Sequence, residues 1–343
     1  MNQRLIYPDI CKFIAIFIVT WSHCAQCIAN KTYTNLWGGT ELDIAFNMPL
    51  FMIISGWFIN LDKYRDTGII QFIVSKFKRL IIPSLTWFSI YAILNGIIPE
   101  IKLSNCLWYI RGMLNYYWYI NALFVCLCVI LFSAKLFKDN VLCILISTIG
   151  ILICPLSEIA NINFMFPFIW TGYLLRKITE SNYSNLFVIV CIIVGVCLIP
   201  FWNEKHSVYE CPFQPLQLTI PMCATFMFRF IIGFCFASVI IFFIKLIEKS
   251  IPKKISEWGK DTLGIYTVSI LILSFLSKIL SKAKLNTNEL IIIDLLSFIL
   301  CSFIVTMIVY LCQLCRKQKW SQLVFLGEYS INNTKKQVTT VEH

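Results

Sequence analysis

The feature that most constrains this chain is a succession of apolar runs, each suited to a helix across a lipid bilayer. There are ten of them, at 10–29, 44–61, 72–98, 115–133, 141–155, 162–175, 186–201, 220–247, 262–280 and 290–315. A hydrocarbon core about 30 Å thick asks for about 20 apolar residues in a helix. The fifth and sixth runs are short by that measure, and the run 220–247 is long enough to tilt. Helices satisfy their own backbone hydrogen bonds in lipid, and the short alternating strands of a membrane barrel are not seen in the sequence. The composition agrees, with 58% hydrophobic and 14% charged residues. A soluble domain carries about half and about a quarter. The expected fold is all-α: a polytopic membrane protein of about ten transmembrane helices. It reads as a single domain with its core at 5–315 and a short polar cytoplasmic tail at 316–343.

Charge between the runs sets the orientation. With the N-terminus in the cytoplasm, 20 of the 29 Lys and Arg residues fall inside and 7 outside, while Lys12 and Arg229 lie within spans. That asymmetry points to both termini in the cytoplasm and an even number of crossings. The net charge of +11 is therefore a topology signal and a means of contact with anionic membrane lipids. Spread over many short loops, it excludes a nucleic-acid footprint. The first run has no small-residue cleavage site and reads as a retained anchor. The sixteen cysteines include two C-x-x-C pairs, Cys24 with Cys27 and Cys312 with Cys315. These pairs belong to opposite membrane faces, so the cysteines read as small apolar core residues and no metal site is expected.

The stretch "KFIAIFIVTWSH" carries titratable groups at both ends of an apolar segment. Lys12 and His23 are eleven residues apart, which at 100° per residue is within about 20° of three full turns. Both lie on one helical stripe, separated by about 16 Å along the axis. Asp9, three residues before Lys12, joins the same line and can pair with it. For Lys12 alone, snorkelling to the inner headgroups is the simpler account, and for His23 an interhelical hydrogen bond competes evenly with chemistry. Ionisable groups inside a span usually face a cavity or a partner, and a shared face favours a lined cavity.

With these residues, the sequence resembles the acyltransferase-3 family of integral-membrane acyltransferases. In that family helix 1 carries a basic residue, ten residues and His, as "KFIAIFIVTWSH" does here. "FNMPLFMIISGWF" is similar to the family's Met-Pro-Leu-Phe…Ser-Gly helix. "KFKRLIIP" matches its basic-x-x-Arg pair before a Leu-Pro helix, and "WYINALF", "FIWTGYLLRK" and "WGKDTLGIYTVS" resemble its later segments. Asn47 and Ser269 stand where many members have His. Lys12 and Lys76 replace the commoner Arg, which keeps the charge and loses the fork toward phosphate.

The resemblance implies transfer of an acyl group, usually acetyl, from cytoplasmic acyl-CoA to a hydroxyl of an extracytoplasmic glycan or lipid-linked sugar. The protein would then sit in a bacterial cytoplasmic membrane. No permanently bound cofactor is expected, with acyl-CoA as co-substrate. Lys76, Lys78 and Arg79 would hold the CoA phosphates, although inside-positive anchoring accounts for any one of them alone. Lys12, kept in place by Asp9, would line the channel below. His23 would act as general base for the acceptor hydroxyl or as a transient acyl carrier; the sequence leaves both open. Arg229 lies nine residues into its run, deep enough to favour a cavity-facing role. Asn47, Trp118, Tyr119 and Asn121 are candidates for an acyl or sugar pocket, with an interfacial aromatic belt as the competing account for the two rings. The rival functions are a polysaccharide exporter or flippase and a non-catalytic scaffold. An exporter of inverted-repeat design would show paired interrupted helices, and Pro49 and Pro83 have no counterparts in the second half.

Overall fold

A computed structural model describes residues 5–29, 42–95, 103–179, 181, 183–203, 206, 213–283 and 290–328. Every regular element among them is a helix. In chain order these are α1 (Tyr7–Ala29), α2 (Leu42–Trp57), α3 (Leu61–Asp66) and α4 (Ile69–Lys76). A π-helical turn, Phe77–Ile81, joins α4 to α5 (Ile82–Leu94). Then come α6 (Leu103–Tyr116), α7 (Trp118–Leu136), α8 (Asn140–Ile153), α9 (Ile162–Thr179) and α10 (Ser184–Leu198). The last are α11 (Ile220–Ile247), α12 (Lys253–Trp258), α13 (Thr262–Ala283), α14 (Leu290–Cys315) and α15 (Lys319–Leu326).

Each of the ten expected spans falls on a helix, but they are not ten equal spans. Seven helical stretches among the described residues are long and apolar enough to cross a membrane. The stretch α8–α9 passes that test only as a pair, bent by 88°. The break falls at Cys154, which is extended (φ −78°, ψ 118°), and the backbone leaves helical geometry again at Ile159 and Ala160, with positive φ at Ala160 and Asn161 (56° and 52°). Asn adopts that left-handed region readily, whereas Ala pays about 1 kcal/mol for it. At 16 residues, α2 is only about 24 Å long, less than the hydrocarbon thickness.

That short helix lies at the centre of the bundle, packed on α1, α9 and α11. Leu50, Met52 and Ile53 of α2 and Phe166, Phe168 and Ile169 of α9 are fully buried. The α2–α9 crossing is close because each helix presents a glycine. A Cβ on Gly56 would overlap the Ile169 carbonyl, and one on Gly172 the Ile53 carbonyl. Small residues at such crossings let backbones approach where lipid removes the hydrophobic drive for association. At the rim of the bundle, α8, α10 and α14 expose Ile149, Ile193 and Phe303, as helices against acyl chains do.

Two fastenings hold one end of the bundle. Arg65 of α3 caps the last turn of α7, donating from Nε to Ala134 O (3.2 Å) and from Nη2 to Lys138 O (2.6 Å) and Asn140 Oδ1 (2.7 Å). Lys135 Nζ answers with a bond to Arg65 O at 2.8 Å. Cations suit these carbonyls because the helix dipole leaves negative charge there. On α5, Trp87 Nε1 donates to Phe325 O at 3.1 Å, and the two rings lie 5.3 Å apart. The stretch after Arg316 therefore contributes α15 to the packed body.

Candidate functional site

A cavity of about 1680 Å³ opens among the start of α1, the end of α2, α3, α4, the π turn, α7 and the start of α13. Lys12, Lys63, Lys76 and Lys78 line it, together with Arg79, Arg176 and Lys260. Among the described residues, the only carboxylates on its lining are Asp9 and Glu328, so seven cations face two anions, a formal excess of +5. Converging like charges in a partly desolvated cleft raise the local concentration of an anionic ligand.

The sequence builds each charged wall differently. Asp9 is buried in the first turn of α1 and sits 3.5 Å from Lys12 Nζ. The Lys12 ammonium also lies 5.5 Å from the Phe58 ring centre. Lys76 ends α4, and its ammonium lies 5.3 Å over the Phe72 ring. Lys78 and Arg79 follow in the π turn and are exposed to the cavity. Pro83, in the first turn of α5, lacks the N–H that a regular α-helix would use there. A widened turn just before it fits that loss, and π turns recur at functional sites.

Along α7 the lining becomes apolar, with Tyr119, Ile120, Leu123 and Leu127. Tyr119 meets Phe51 at 5.5 Å between ring centres and Tyr266 edge-on at 6.0 Å. Tyr119 lies sixteen residues before Lys135, which bonds α3 beside Lys63. The aromatic end is thus about 24 Å of helix away from that cationic level.

Of the residues singled out in the sequence, Asp9, Lys12, Lys76, Lys78, Arg79 and Tyr119 meet in this cavity. The other five do not line it. His23 is exposed further along α1, where its Nδ1 is 3.0 Å from Gln26 Oε1. Asn121 is buried and donates to Tyr117 O at 3.0 Å, tying α7 to the end of α6. Trp118 is half-buried beside Tyr119. Asn47 is buried, and its Oδ1 has no hydrogen-bond partner among the described residues. Arg229 is 3% exposed and lies 5.4 Å over the Phe164 ring. Near it, His206 packs 4.6 Å from the Phe228 ring. Burial, and then the Arg229 charge, push the His206 imidazole below its ordinary value. Lys63, Arg176, Lys260, Ser55 and Tyr266 join the cavity without having been singled out individually; the cations among them were legible only as inside-positive charge.

The fold and this cleft define a class: an integral-membrane, all-helical protein with a cationic chamber at one end of its bundle. Within that class the chain belongs to the acyltransferase-3 family, whose acyltransferase-domain model matches residues 5–330. It is 24% identical over 229 residues to nodulation protein NolL of Sinorhizobium fredii, across 61% of this chain and 60% of that protein. A NolL of Mesorhizobium japonicum is 24% identical over 222 residues, with 61% and 59% covered. The chain thus spans about three-fifths of the length of the curated relatives it matches. No solved structure matches it.

Proposed function

We propose that this chain is a membrane acyltransferase that takes acyl-CoA, carrying acetyl, into the cationic cavity and delivers the acyl group to a hydroxyl of an extracytoplasmic or lipid-linked glycan. One observation carries this reading. All six segments that resemble the family supply lining to the same cavity: Lys12, Ser55, Arg79, Tyr119, Arg176 and Lys260 each come from a different one. Lysines offer point charges to the CoA phosphates and the two arginines offer planar forks. The apolar α7 wall suits the uncharged part of the donor.

In the transfer, an acceptor hydroxyl oxygen attacks the thioester carbonyl, a base takes the hydroxyl proton, and the CoA thiolate leaves and is protonated. His23 fills the base role, or first accepts the acyl group on its imidazole and passes it on. Its place about 16 Å along α1 from Lys12 favours relay toward the acceptor side over direct contact with the phosphates. The test is O-acylation of the host surface polysaccharide by mass spectrometry in cells carrying His23→Ala. Acylation is expected to be lost at normal protein level, and normal acylation would sink the assignment. An exporter would lose surface glycan altogether with acylation per sugar unchanged.

A further inference from the structure

Arg316 stands one residue beyond α14 and grips carboxylates from two other parts of the chain. Its Nη2 donates to Asp261 Oδ1 and, at 2.6 Å, to Glu328 Oε1; its Nε donates to Glu328 Oε2 at 2.9 Å. Asp261 is buried.

Each carboxylate follows closely on a glycine that touches a cation-bearing element. Gly259, two residues before Asp261, is buried against the backbone of α1, where a Cβ would overlap the Asp9 carbonyl oxygen. Gly327, immediately before Glu328, ends α15 in the left-handed conformation with φ +67°. That turn sends the Gly327 N–H to Leu323 O (3.1 Å) and the Glu328 N–H to Gln322 O (3.0 Å). A Cβ on Gly327 would overlap the Arg79 carbonyl oxygen inside the π turn. Gly suits both the positive φ and the close approach. One guanidinium therefore joins the segment behind Asp9 and Lys12 to the segment behind Lys78 and Arg79.

We propose that Arg316 is a positioning residue: through Asp261 and Glu328 it fixes the spacing of the Lys12 and Arg79 walls, and so the affinity of the cavity for phosphate-bearing ligands. The acyl-CoA part of this rests on the function proposed above; the brace itself does not. Arg suits the role because a lysine ammonium lacks the planar fork that grips two carboxylates at once. Arg316 does not line the cavity, but its partner Glu328 does, so the brace through Arg79 and Lys12 has to be told apart from a direct effect of the Glu328 charge.

The test uses the full chain in lipid nanodiscs, titrated with coenzyme A, beside hydrogen exchange of the 77–81 backbone without ligand. Arg316→Gln is expected to weaken coenzyme A binding roughly tenfold, the scale of coupling between interacting residues. Gly327→Ala, which changes no charge, is expected to do the same. Adding Arg316→Gln to Arg79→Gln is expected to cost little more than Arg79→Gln alone. Exchange across the π turn should rise in both Arg316→Gln and Gly327→Ala. Full additivity with Arg79→Gln overturns the proposal, as does weakening in Arg316→Gln without weakening in Gly327→Ala, which would point to the bared Glu328 charge. If wild-type protein binds no coenzyme A, the acyl-CoA reading fails, and the exchange measurement still decides the brace. Unchanged exchange in Arg316→Gln overturns it.

Discussion

Lys12 shares its charge between the Asp9 carboxylate at 3.5 Å and the cavity. Deleting the ammonium takes one compensating cation from Asp9, which is only 6% exposed and lies on the lining. Lys12→Gln therefore removes one attraction for an anionic ligand and leaves one repulsion less compensated. A charge-assisted hydrogen bond is worth about 1.5–3 kcal/mol, so coenzyme A binding should fall by about tenfold or more in a calorimetric titration. Lys12→Arg keeps the charge and supplies the cation commoner in the family, and should bind nearly as the wild type does. His206 offers a pH test. Its pKa is lowered by burial and then by Arg229. The folded protein keeps this imidazole neutral where the unfolded chain takes up a proton. Its contribution is full above the ordinary value of about 6.5 and is lost as pH falls below it. Between about pH 7.5 and about pH 5.5, Tm should drop less in His206→Gln than in wild type. Equal drops would show that His206 is not held neutral.

Elements, rather than single residues, decide how the bundle closes. Where α2 crosses α9, Gly172 leaves no room for a methyl beside Ile53, while Gly150 of α8 has nothing within 4 Å of its would-be Cβ. Gly172→Ala should destabilise by about 1–3 kcal/mol through overpacking, and Gly150→Ala should stabilise by about 0.5–1 kcal/mol through helix propensity. Thermal unfolding in detergent compares the two, and equal effects would mean that the crossing is not tight. The helices themselves were legible, because uninterrupted apolar runs such as 220–247 admit little else. By contrast, α6 is hard to see in the sequence: Ser104, Asn105, Arg111 and Asn115 interrupt its apolar residues, and its exposed Leu107 and Ile110 form only a stripe. The cluster Lys76, Lys78 and Arg79 was visible as charge. The π turn that carries two of them follows from local backbone pairing, which a period of 3.6 does not encode. Lys63, Arg176 and Lys260 are separated by more than 80 residues from one another, and only the fold brings them to one cavity. The stripe of Lys12 and His23 was sound helical geometry, but a stripe is as long as its helix, and the cavity reaches only its first end.

At the scale of the molecule, cations from many elements among the described residues gather on one cavity. Leu5 and Glu328, near the two limits of the described chain, both line the cavity. Arg65 and Lys135 meet at the end of α7, and Arg176 enters from the end of α9. Lys260 precedes α13, and Arg316 follows α14. If residues 5 and 328 share one side of the membrane, as their place on one cavity suggests, the number of crossings between them is even, whichever way the short α2 and the bent α8–α9 pair traverse the membrane. The cation count gives that side a direction, since cytoplasmic segments collect Lys and Arg. A donor made in the cytoplasm would then find the open, positive chamber facing it, with the aromatic end of α7 toward the opposite leaflet. Reporter fusions put this to the test. Alkaline phosphatase, active only outside the cytoplasm, should be inactive when joined after Glu328 and active when inserted after Leu218, ahead of α11. A fluorescent protein joined after Glu328 should glow. Phosphatase activity at 328 would turn the chamber outward and remove its access to acyl-CoA, and activity at both positions would break the even count.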